Sequence, residues 1–307
     1  MRVVEVSAGP VEYEDEGVGP PVVLLHGVLM GPSVWDDVLV GLPDGFRYVR
    51  PLLPLGAHRR PMRADADLSL DGQVGLVAEF LEALDLHDVT LVVSDWGGGV
   101  MLIAAGLDDR VGRLVVLPCE AFDNFPPGLP GRVLRLAAYT PGGVVLGART
   151  LRAGWLRRLP VFLGQMAKRP LPDRLVREWT APLLADRRIR RDLVKYARSW
   201  SDPASLVERT EALRGFGGDA LVLWSPENRV MPADHGRRLA DLLPAGRLVE
   251  LDDAYVLSIA RPPGRGGDGD RRLPRDVLPE PLPAVAVGST VTSEDRGPDR
   301  GQNPPTS

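Results

Sequence analysis

The chain has 307 residues, 44% of them hydrophobic and 25% charged, and a formal net charge of −4. This is the composition of a soluble globular protein with room for one large core or a core plus an insertion. The single cysteine, Cys119, excludes an internal disulfide and fits a reducing compartment. Met1-Arg2-Val3-Val4-Glu5 lacks the apolar core of a signal peptide, and no stretch reaches the roughly 18 apolar residues of a membrane span. A cytoplasmic protein without membrane or nucleic-acid partners is expected, since no basic motif is interleaved with aromatics.

Strand and helix signals alternate along the first hundred residues. Val3–Val6 and Val11–Tyr13 read as short strands, Pro21–Leu25 as a buried strand, Pro32–Leu42 as a helix and Arg47–Arg50 as a strand. Ser69 opens an amphipathic helix predicted over Leu70–Leu86. Val89–Val93 is the next strand, and it runs into Ser94-Asp95-Trp96-Gly97-Gly98-Gly99, from which a helix is predicted to about Gly106. A strand, a sharp turn and a helix place a carboxylate, Asp95, at the apex where a nucleophile would sit. After the strand Leu114–Leu117 the alternation lapses, then resumes with Ala220–Trp224 (strand), Asp234–Leu243 (helix) and Arg247–Leu251 (strand). Such alternation predicts an α/β protein with a mostly parallel sheet covered on both faces.

The interruption, Phe122 to Gly215, holds 18 Lys and Arg against 8 Asp and Glu. Its apolar residues recur at helical spacing (Leu134, Leu136, Trp155, Leu156, Trp179, Leu193, Tyr196, Trp200) between Pro141, Pro160, Pro170 and Pro182. A bundle of short helices is expected, with these residues as its core and solvated arginine faces outside; a basic lid that attracts an anionic substrate is the sharper reading. From Pro262 to Ser307, 16 of 46 residues are Gly or Pro and none is aromatic, so disorder is predicted. The change falls where such a sheet adds a closing helix, the pattern of a frameshifted or eroded C-terminus.

His26-Gly27-Val28 ends one strand, and Ser94-Asp95-Trp96-Gly97-Gly98 forms the next apex about seventy residues on. With the insertion after Leu114–Leu117, these motifs resemble the α/β-hydrolase family over roughly residues 1 to 260. They resemble specifically its aspartate-nucleophile branch of epoxide hydrolases and haloalkane dehalogenases. The resemblance implies a hydrolase core of residues 1-121 and 216-260, a helical cap of 122-215 and a tail of 262-307. It implies a small-molecule substrate, a monomer or homodimer, and no cofactor or metal.

The same resemblance assigns roles. Asp95 is the nucleophile, which attacks an sp³ carbon to form an alkyl ester on the enzyme. The backbone amides of Val28 and Trp96 are the oxyanion donors, and the Trp96 indole is a donor to a departing halide. His26 is a structural histidine, while Gly27, Gly97 and Gly98 allow close approach around the turn. Glu120 is the favoured triad acid, with Glu227 and Asn228 at the alternative acid position. Tyr139 and Tyr196 are substrate-binding candidates of the epoxide-hydrolase kind, and the lack of a side-chain donor at Val28 tips the substrate toward an epoxide. One part departs from the family: the base is expected in the turn Asp252-Asp253-Ala254-Tyr255-Val256, where Val256 holds the histidine position and cannot accept a proton. His58, in the loop after the strand Arg47–Arg50, is the candidate replacement. A noncatalytic small-ligand-binding relative and an inactivated hydrolase stay open beside a working enzyme.

Overall fold

The computed structural model describes residues 1–199 and 203–257. The tail predicted from Pro262 onward, its frameshift reading, and Trp200 lie outside those residues. Eight strands form one sheet in the order β1-β2-β4-β3-β5-β6-β7-β8. They are β1 (Arg2–Val6), β2 (Gly9–Gly17), β3 (Pro21–Leu25), β4 (Arg47–Leu52), β5 (Val89–Asp95), β6 (Val111–Cys119), β7 (Asp219–Trp224) and β8 (Gly246–Glu250). β2 runs antiparallel to both β1 and β4, and every pairing from β4 onward is parallel. Each of the eight predicted strands is present. All seven residues of β5 are buried, as a central parallel strand covered on both faces requires. β2 extends past the predicted Val11–Tyr13 because its outward glutamates alternate with buried partners, the pattern of an antiparallel strand with one solvated face.

Helices cover both faces. Besides α1 (Asp36–Leu39), the core carries α2 (Leu70–Ala83), α3 (Met101–Ala104) and, after the insertion, α9 (Ala233–Leu242). The Ser69 hydroxyl caps α2 by accepting the Gly72 N–H at 3.2 Å. Two predicted helices shrink. Pro32–Leu42 becomes a 3₁₀ turn, Pro32–Trp35, followed by the single turn of α1. Behind the apex, Gly97–Gly99 is also 3₁₀, because three glycines in a row offer almost no helix propensity; α3 then ends at Ala104, two residues before Gly106, whose φ is +64°.

Between β6 and β7 lie α4 (Gly128–Tyr139), α5 (Gly143–Arg152), α6 (Asp173–Ala185), α7 (Arg187–Arg198) and α8 (Pro203–Glu211). Ala148, Leu183, Ile189 and Leu193 form a small core among them, and Val28, Leu29 and Leu134 pack against it. The loop after β3 is thereby clamped under the inserted helices. Two residues expected in this core are instead outside it: Leu136 is 68% and Trp155 72% exposed. A helical period locates an apolar face but not the neighbour that covers it, and these two face solvent. No helix among the described residues is long and apolar enough to cross a membrane.

Candidate active site

Asp95 ends β5 with φ = +64°, a left-handed conformation that a non-glycine residue holds at a cost of about 1–3 kcal/mol. The Trp96 N–H donates to the Ser94 carbonyl at 2.7 Å, closing a γ-turn around Asp95. The turn lifts the carboxylate above the end of the sheet, where its neighbours must be small. A Cβ on Gly27 would sit 2.0 Å from Asp95 Oδ2, and one on Gly97 would sit 2.1 Å from the Glu120 carbonyl oxygen.

The Val28 N–H donates to Asp95 Oδ2 at 3.1 Å. His26, buried beside it, donates from Nδ1 to the Gly27 carbonyl at 2.8 Å and accepts the Leu53 N–H on Nε2 at 2.9 Å. Burial holds the His26 ring down at about 4, against the Gly27 hydrogen bond, so it stays neutral and fixes the two loops beside Asp95.

Glu120 follows β6, the strand next to β5. Its N–H donates to the Asp95 carbonyl at 3.3 Å, and its Oε2 accepts the Gly97 N–H. Two buried carboxyls are thus tied to one turn. Burial pushes the Asp95 carboxyl up to about 7, offset in part by the Val28 N–H. Burial, and then the Asp95 charge, push Glu120 well above the ordinary carboxyl range. Both effects favour one proton held between the two groups near neutrality.

These two carboxyls form the floor of a cavity of about 120 Å³ beneath the inserted helices. They are its only ionisable residues among those described; the walls include Val28, Leu134, Ala148, Phe162, Trp179 and Leu193. The polar atoms of the walls are committed elsewhere: the Trp179 indole donates to Ser33 Oγ at 2.9 Å, and the Thr180 hydroxyl donates to the Val176 carbonyl. A cavity so lined has the chemistry to accept a small apolar molecule beside a carboxylate in a low-dielectric setting.

Other candidates lie elsewhere. The Trp96 indole folds back over Gly98, where a Cβ would meet its Cζ2 at 2.0 Å, and it does not line the cavity. Its backbone N–H is engaged by Ser94, so of the two expected oxyanion donors only Val28 reaches the Asp95 carboxylate. Tyr139 is 55% exposed, its hydroxyl donating to the Arg198 carbonyl, and Tyr196 is buried in the core; neither lines the cavity. Glu227 sits at the surface, pairing with Lys168 at 2.5 Å and accepting the Asp253 N–H at 3.0 Å. Asn228 Oδ1 accepts the Val230 and Met231 N–H groups at 2.9 and 3.1 Å, so this amide shapes a turn instead of facing Asp95. Val256 is buried in the main core and is no part of the cavity wall.

The structure does not bring His58 to the cavity. Its Nε2 lies 3.2 Å from Asp192 Oδ2 and its Nδ1 accepts the Gly56 N–H, so the ring joins a core loop to α7. His87 is exposed beside Asp85, and His235 packs edge-on against Phe122. Sequence reasoning missed Asp192 because its partner lies 134 residues away. It also treated Trp179 only as core, and periodicity carries no sign that the same face would wall a cavity.

Residues 20–259 match the family model for the alpha/beta hydrolase fold, and the chain belongs to that family. Over 173 residues it is 36% identical to a haloalkane dehalogenase of Mycolicibacterium paratuberculosis, covering 53% of this chain and 56% of that protein. Haloalkane dehalogenase 2 of Mycobacterium bovis is 36% identical over 118 residues, 38% of this chain and 40% of that one. The chain thus spans about half the length of the curated relatives it matches. In solved structures the same fold appears in a haloalkane dehalogenase described as ancestral, with a TM-score of 0.65 at 20% identity, over 84% of this chain and 93% of that one. It appears also in an esterase from Exiguobacterium antarcticum, with a TM-score of 0.63 at 16% identity, over 82% and 91%.

Proposed function

We propose that this α/β hydrolase acts on a small apolar haloalkane, epoxide or ester through a covalent intermediate on Asp95. One observation carries the reading: a strained, buried carboxylate faces an otherwise apolar cavity with one oxygen held and the other available. Oδ2 is held by the Val28 N–H, and no hydrogen bond among the described residues engages Oδ1. In the ionised form Oδ1 attacks the substrate carbon, the O–C bond forms, and the carbon–halogen bond breaks with its electron pair leaving as halide. Oδ2 then becomes the ester carbonyl oxygen, with Val28 N–H already aimed at it, as stabilisation of a later oxyanion requires.

Within that class we favour a haloalkane over an epoxide. Neither tyrosine considered for protonating an opening epoxide lines the cavity, and the relatives that share about a third of their matched residues are named haloalkane dehalogenases. Halide release from a panel of short chloro- and bromoalkanes, with diol formation from matched epoxides, tests the assignment. Wild-type protein is expected to release halide and Asp95→Ala to release none above background. Equal release by both would overturn the assignment. Ligand-induced stabilisation with no product from any substrate would point to a binding protein instead.

A further inference from the structure

A carboxylate nucleophile leaves an ester that water must cleave, and the water needs a base. None of the chain's four histidines lines the cavity: His26 is locked between Gly27 and Leu53, His58 is tied to Asp192, His87 is exposed and His235 packs on Phe122. Among the described residues one ionisable side chain shares the cavity with Asp95, and it is Glu120.

We infer that Glu120 is itself the base of the hydrolytic step and acts on the attacking water without a histidine between them. The inference rests on the Asp95 reading above. Its geometry is that of a group held at one oxygen and open at the other. Oε2 accepts the Gly97 N–H, two residues from the nucleophile, while no other residue among those described hydrogen-bonds to Oε1. The Glu120 N–H to the Asp95 carbonyl fixes the backbone of the two residues against each other across adjacent strands.

The charges time the role. While Asp95 is anionic, burial and then the Asp95 charge keep the proton on Glu120. Once Asp95 is esterified it is neutral and that repulsion is gone; burial still favours the protonated carboxyl, so the base is the fraction of Glu120 that has given its proton to solvent, its charge met by the Gly97 N–H. Glu120 then takes a proton from water as the water oxygen bonds to Asp95 Cγ. The resulting oxyanion on Oδ2 is met by Val28 N–H. Collapse breaks the bond from Cγ to the alkyl oxygen, the alcohol leaves with the proton returned by Glu120, and the pair again holds one proton. Haloalkane and water become alcohol, halide and one proton.

The test compares wild type, Glu120→Gln and Glu120→Asp in rapid-quench intact-mass measurements with a turned-over bromoalkane. Glutamine keeps an oxygen for Gly97 N–H but cannot accept the water's proton. The ester on Asp95 is expected to form in Glu120→Gln and to decay about 10²- to 10⁴-fold more slowly than in wild type. Hydroxylamine brings its own nucleophilic lone pair, so it is expected to release the alcohol from Glu120→Gln and leave a hydroxamate on Asp95. Glu120→Asp, still a base but one methylene shorter, is expected to fall between the two. Ester decay in Glu120→Gln at the wild-type rate, or a stalled ester that hydroxylamine leaves intact, overturns the role of Glu120. If wild type forms product with no ester on Asp95, the underlying reading fails instead. Thermal denaturation of each variant verifies folding, and Glu120→Asp carries the comparison if the glutamine variant does not fold.

Discussion

Replacing Asp95 by Asn should stabilise the protein at alkaline pH, and the structure sets the size of the effect. The carboxyl is raised from 3.8 to about 7 by burial, so the folded chain holds this proton more tightly than the unfolded one. Between those two values the folded state binds more protons, and stability falls as pH rises through the window. Above pH 7 the accumulated cost of the ionised group is on the order of 4 kcal/mol. Asparagine cannot ionise, and its amide oxygen can still accept the Val28 N–H. Removing the Asp95 charge also relieves Glu120, so the second contribution has the same sign. For a folded unit of this size the gain corresponds to a rise in Tm of about 8–16 °C. Thermal and urea denaturation of wild type and Asp95→Asn at pH 4, 6 and 8 should show the two converging at pH 4 and separating progressively above it. An Asp95→Asn protein no more stable than wild type at pH 8, or a difference independent of pH, would refute the burial argument.

Other expectations follow from the same contacts. Gly27→Ala places a methyl 2.0 Å from Asp95 Oδ2; displacing the nucleophile by this much should slow ester formation by about 10²-fold, read by quenched mass spectrometry. Because only the ionised Asp95 attacks, the rate of ester formation should rise with pH and level off above a midpoint near 7 in single-turnover measurements. His58→Ala should leave ester formation and turnover unchanged. It should cost roughly 1.5–3 kcal/mol in urea denaturation, because it removes a hydrogen bond to the buried Asp192 carboxylate.

The parts of this molecule legible in its sequence are those set by local pattern. Continuous apolar runs such as Leu91–Val93, bounded by turn residues, fit buried parallel strands, and the break at Ser94-Asp95 followed by glycines marks a closely packed turn. Glu120 was within reach for the same reason, since it stands one residue past β6. What pattern does not carry is tertiary partnership. His58 and Asp192 meet across 134 residues, and Glu227 and Asn228, adjacent in sequence, turn to a surface ion pair and to a loop amide pair. Tyr139 and Tyr196 occupy the interval expected of substrate-binding residues, but the rotation of α4 and α7 sends one to solvent and the other into the core. The face of α6 that carries Trp179 looks like any apolar stripe until the loop after β3 is seen beneath it.

The central claim is that Asp95 becomes covalently bound to substrate carbon. Intact-protein mass after rapid quenching with a short bromoalkane, followed by peptide mapping, addresses it directly. The account predicts a mass increase equal to the alkyl group, confined to the peptide containing Asp95 and absent in Asp95→Ala. Product accumulating with no such increase at any quench time, or an alkyl group mapped to another residue, would contradict it.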